Sequence, residues 1–83
     1  MSASQTDIIA TLTELLTGQL AEPVAVAPDT DLISDLALES VQIMEFMVEV
    51  EDHYDIAISL EALAEIRNLD QLARLITTIL DAQ

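Results

Sequence analysis

The sequence predicts an all-α fold: a small four-helix bundle with a long loop between helices 1 and 2 and a short third helix. Three observations carry this. Apolar residues recur at helical spacing along most of the chain. The only glycine and both prolines fall at positions 18, 23 and 28, in the one stretch where that periodicity fails. No run alternates apolar and polar residues long enough to give a strand signal. Eighty-three residues point to one domain over residues 1–83, of a size that buries only about 60% of the surface its unfolded chain exposes. Such a chain can hold a core but hardly an enzyme cleft.

The first helix follows a polar start at Ser4 to Asp7. Ile8, Leu12 and Leu15, with Ile9 and Leu16 beside them, form one apolar face, and Gly18 is placed to end it. From Gly18 to Glu39 the pattern disappears. Pro23 and Pro28 interrupt it, and "PDTD" has turn chemistry. Val24, Val26, Leu32, Ile33, Leu36 and Leu38 are spaced through this connection, so it reads as a loop pinned to the core. The second helix runs from about Ser40 to Tyr54, with Ser40 as a residue type that favours the N-cap. Ser59 is placed to cap a short third helix containing Leu60 and Leu63. Asn68, with Gln71 three residues later, has the spacing of a capping box. It opens a last helix expected to bury Leu69, Leu72, Ile76, Ile79 and Leu80.

The second helix has more apolar residues than one buried face can use. At about 100° per residue, Phe46, Met47, Val50 and Tyr54 fall within roughly 60° of Ile43, which defines a core face. Val41, Met44 and Val48 form a second stripe well away from the first. Glu45 and Asp52 flank it on one edge and Glu51 on the other. Apolar residues rimmed by carboxylates describe an interaction surface, unless the long loop covers them. Met44 suits a surface that meets several partners, because its thioether adapts to different shapes. Ser40 sits at the top of this helix, where free N–H groups and the positive dipole end favour an anion.

Charge narrows the function further. The net charge is −14, and the only basic side chains are Arg67 and Arg74, so residues 1–66 hold fourteen of the sixteen carboxylates and no Lys or Arg. Nucleic acid and anionic lipid would be repelled, while partners with basic patches would be attracted. No apolar run approaches the length of a membrane span, and "MSASQTD" lacks the regions of a signal peptide, so a cytoplasmic monomer is expected. There is no cysteine, hence no disulfide and no CxxC redox or metal site.

An enzyme reading fails on inventory. His53 is the only histidine, its helical angle puts it at the boundary between core and solvent, and no nucleophile and base can be paired. The acidic run "DTDLISDLALE" fails as a calcium loop. Counted from Asp29, positions six and twelve are Ser34 and Ser40, and counted from Asp31 they are Leu36 and Gln42, where Gly and Glu are needed. No metal site is expected.

The segment "DLISDLALESVQIMEFMVEVEDHYDIAIS" resembles the central part of acyl carrier proteins, which combine an aspartate-leucine-glycine stretch, an Asp-Ser-Leu motif, an acidic and apolar helix and an aromatic-acidic exit. The likeness extends over most of the chain. It implies that Ser40 receives 4′-phosphopantetheine from coenzyme A, through a phosphopantetheinyl transferase, and that the arm's thiol holds an acyl group as a thioester. Acyl-loading, synthase or acyltransferase enzymes with basic docking patches would then read Glu39, Val41, Met44, Glu45, Val48, Glu51 and Asp52. Three positions depart from the family pattern: Glu39 stands where Asp is usual, Val41 where Leu is usual, and Ala37, expected to tighten the turn, where Gly is common. They suggest a specialised carrier of fatty-acid, lipid or polyketide type. Two alternatives stay open at this point: an aminoacyl or peptidyl carrier, and an unmodified acidic adaptor that binds basic partners through helix 2.

Overall fold

The computed structural model describes residues 4–20, 25–36 and 38–82. Val24 as a loop anchor and Ala37 as a tightened turn lie outside these residues. Among those described, the chain forms four helices and no strand: α1 (Gln5–Thr17), α2 (Ser40–Tyr54), α3 (Leu60–Glu65) and α4 (Leu69–Asp81). Helix α1 is the element that both α2 and α4 pack against.

Each helix start follows from a local cap. The Ser4 hydroxyl accepts from the Asp7 N–H at 3.1 Å, and Ser59 does the same for Ala62 at 3.1 Å. Asn68 Oδ1 accepts from the Gln71 N–H at 2.8 Å. The box expected there is displaced by one residue: the Gln71 side chain reaches back to the N–H of Arg67, at 2.6 Å, and not to that of Asn68.

The core is built from Ile8, Leu12 and Leu16 of α1, Phe46, Met47 and Val50 of α2, and Leu69, Leu72, Ala73 and Ile76 of α4. Leu16 takes the buried place in α1 and Leu15 is half-buried beside it. Ile79 and Leu80, expected inside, are half-buried and pack against the edge of the core. Gly18 does stand at the end of α1, but with right-handed backbone (φ −65°). A Cβ there would meet only carbonyl oxygens at 3.5 and 3.6 Å, an ordinary contact. The left-handed residue is instead Asp55 after α2 (φ 54°, ψ 51°), whose N–H bonds the Glu51 carbonyl.

The long loop is pinned, as its apolar spacing predicts, with Leu32 and Leu38 buried and Val26 and Leu36 packed on the core. Ile33 is the exception, 52% exposed. Main-chain bonds fasten the loop as well. The Leu32 N–H donates to the Arg67 carbonyl at 2.9 Å and the Asp70 N–H to the Pro28 carbonyl at 3.0 Å. Asp31 is the centre of the turn. Its carboxylate accepts the Ser34 and Ile33 N–H groups at 2.7 and 2.9 Å and pairs with the Arg67 guanidinium at 3.1 Å. The Ser34 bond is the main reason the Asp31 carboxyl titrates below its ordinary value, against a partial loss of hydration.

Candidate functional site

The first turn of α2 differs from expectation in one informative way: its N-cap is Glu39, and Ser40 is the first helical residue. Glu39 and Gln42 pair as a capping box, with the Glu39 N–H donating to Gln42 Oε1 at 3.0 Å. Ser40 is exposed, and none of the side-chain hydrogen bonds among the described residues uses its hydroxyl. No acid follows it in the first turn.

The second stripe of α2 is open to solvent. Val41 and Met44 are each 61% exposed and Val48 56%, so the loop does not cover them. With Glu45 and Glu49 they line a shallow apolar recess. Met44 and Val48 also line a second recess with Met47, Glu51, Ile58, Leu60 and Leu63, which carries the apolar surface across to α3. Ser40, Val41, Met44, Glu45 and Val48 are thus brought together along one helix. Asp52 is exposed further down α2 and lines neither recess. Glu51 lies on the α3 side, half-buried, and its carboxylate accepts the Ile58 N–H at 3.0 Å, which fastens the turn between α2 and α3.

Two contributors were not predicted. Glu49 stands four residues after Glu45, so i, i+4 spacing would have found it. Leu60, the first residue of α3, is 81% exposed and faces outward beside Val48 and Met44. A further apolar cleft opens between the loop, α2 and α3, lined by Leu32, Ile33, Ile43, Met47, Leu63, Ala64 and Ile66.

The electrostatics are one-sided. Arg67 pairs with Asp31 and Arg74 with Asp70 at 3.2 Å. Among the described residues, this leaves the carboxylates of α2 without a cationic partner. No three acidic or histidine side chains among those residues converge into a metal-holding group. His53 is exposed and meets only the Tyr54 ring edge-on, with centroids 4.8 Å apart.

The residues present fit a phosphodiester on the Ser40 hydroxyl. That oxygen is exposed and unbonded, it lies at the positive end of a fifteen-residue helix, and the nearest acid, Glu39, is engaged in the box with Gln42. No helix among the described residues is long and apolar enough to cross a membrane.

Known proteins resemble this chain in sequence and in fold. A family model described as a phosphopantetheine attachment site matches residues 7–76. The meromycolate extension acyl carrier protein of Mycolicibacterium aurum is 39% identical over 72 residues, covering 83% of this chain and 72% of the relative. Its counterpart in Mycolicibacterium smegmatis is 38% identical over 72 residues, covering 83% and 71%. The solved structure of Rv0033 from Mycobacterium tuberculosis, itself a proposed acyl carrier protein, shares the fold with a TM-score of 0.74 at 20% identity, over 90% of this chain and 96% of that one. A chain matched over most of its length by the attachment-site family, with relatives of this kind, belongs to the acyl carrier proteins, which hold acyl groups on a covalently attached 4′-phosphopantetheine arm.

Proposed function

We propose that Ser40 bears the arm and that the open stripe of α2, with its acidic rim, is the surface partner enzymes read. The observation that carries this is the placement of one exposed, unbonded serine hydroxyl at the first position of α2, directly ahead of Val41, Met44 and Val48. When bound, the arm supplies a thiol at the end of a flexible tether, on which the cargo is held as a thioester. The chain's own part is to display that attachment point, to offer an apolar strip for docking and to attract basic patches with Glu45, Glu49, Glu51 and Asp52. Its role is that of a carrier and not of a catalyst, serving in the cytoplasm as the substrate of a phosphopantetheinyl transferase and of acyl-loading, synthase or acyltransferase enzymes. Relatives named for meromycolate extension support a fatty-acyl cargo over an aminoacyl one. The attachment-site match speaks against an unmodified adaptor.

The test is intact mass after incubation with coenzyme A and a phosphopantetheinyl transferase. The wild-type chain gains one phosphopantetheine, and Ser40→Ala gains none. Because Glu39 holds the N-cap, Ser40→Ala costs less than the about 1 kcal/mol typical of a lost cap. A Ser40→Ala protein that still gains the mass would overturn the assignment.

A further inference from the structure

Two adjacent side chains could cap α2, and the one with the weaker intrinsic preference does so. Serine is among the best N-cap residues, yet the helix starts after Glu39. The partner that decides this is Gln42. Its Oε1 accepts the Glu39 N–H at 3.0 Å, and the Glu39 carboxylate faces the Gln42 N–H. Were the helix to start one residue later, Ser40 would be the cap, and the residue three along would be Ile43, which has no acceptor to return. As it stands, the Ile43 N–H bonds the Glu39 carbonyl at 3.0 Å and leaves the Ser40 hydroxyl alone. Gln42 itself is half-buried and lines neither recess of the docking stripe.

We propose that Gln42 is a positioning residue for loading: the Glu39–Gln42 box keeps the Ser40 hydroxyl out of the cap and available as a nucleophile. The inference rests on Ser40 being the attachment site. In loading, Ser40 Oγ bonds to the phosphorus of coenzyme A that bears the pantetheine. The pyrophosphate bridge to that phosphorus breaks, adenosine 3′,5′-bisphosphate leaves with the bonding electrons, and the hydroxyl proton passes to a base on the transferase. A serine that caps its own helix has an oxygen lone pair held by an N–H and its side chain folded over the first turn. Both work against attack.

Steady-state loading of Gln42→Ala by a phosphopantetheinyl transferase with coenzyme A tests this. The expected result is a kcat lower by up to about a hundredfold, the order of loss a misplaced nucleophile produces, with KM for the carrier unchanged because the stripe is untouched. The Ile43 amide resonance should shift as Ser40 takes over the cap, in a protein that circular dichroism shows to be folded. A kcat equal to wild type, or a loss confined to KM, overturns the proposal. Ser40→Ala keeps the two readings apart. If it is not loaded while Gln42→Ala loads at full kcat, the attachment site stands and the positioning role falls. If Ser40→Ala is loaded, the attachment site itself is wrong.

Discussion

Helices α2 and α4 are of similar length, and the chain treats their apolar residues differently. In α4, Leu69, Leu72, Ala73 and Ile76 are fully buried, and no large apolar side chain is left exposed. In α2, Phe46, Met47 and Val50 are buried while Val41, Met44 and Val48 are each more than half exposed. An apolar side chain left in water forgoes about 1.5–3 kcal/mol of burial. Folding therefore accounts for the apolar residues of α4, whereas in α2 it accounts for one face and not for the open stripe.

The largest effects should come from exchanging the two kinds of position. Leu72→Ala or Ile76→Ala should lose about 2–5 kcal/mol in urea unfolding, a large share of what a small domain possesses. Met44→Ala and Val48→Ala should leave the unfolding midpoint almost unchanged and slow loading by a transferase, with Met44→Asp slowing it further. Equal stability losses at both sets would erase the distinction. Next comes charge. Repulsion among the unpartnered carboxylates of α2 opposes the compact state. The melting temperature should thus rise as the Debye length falls from about 30 Å at 0.01 M salt to about 10 Å at 0.1 M. Neutralising Glu49 and Asp52 as Gln and Asn should reproduce part of that rise, and a flat or falling response to salt would contradict it.

Asp31 sharpens the contrast, because it is a carboxylate with favourable partners. Its folded titration lies below its ordinary value, so its contribution is complete above that value and is lost as pH falls through the lowered one. Asp31→Ala should therefore be less stable than wild type at neutral pH, and the two should converge under acid. A gap that stays constant with pH would remove the electrostatic explanation. The smallest effect is at Gly18. With right-handed backbone and room for a methyl group, Gly18→Ala should raise stability by about 0.4–1 kcal/mol, and a loss would mean the turn needs glycine after all.

Much of this contrast was legible in the sequence, because helical period and capping chemistry are local. Ser59 and Asn68 cap where their positions suggest, and the two stripes of α2 separate by angle alone. Helix α2 starts at Ser40 as its periodicity predicts, but its cap is Glu39, because a residue's own cap preference does not decide between two candidates when only one has a partner three residues on. Gln42 answers for Glu39, and Ile43 cannot answer for Ser40. What stayed hidden depends on segments distant in sequence. No residue type announces that the Leu32 N–H meets the Arg67 carbonyl. Nor does a glutamate show in advance that its carboxylate will fasten the Ile58 N–H and so lie partly inside the rim it was expected to decorate. Nor does an apolar residue such as Leu60 show from its type alone that it will stand 81% exposed at the start of α3.

Helix α3 has six residues, and none of them is buried. A helix this short is not stable by propensity alone, so it is held by the Ser59 cap and by partial contacts of Ala62 and Leu63, between a turn fastened through Glu51 and a junction tied to the loop through Arg67. In native-state amide exchange, its N–H groups should therefore be protected less than those of α1, α2 and α4. Because α3 forms one side of the apolar cleft beside Ile33 and Ile43, the least buried helix is also the wall of that cleft.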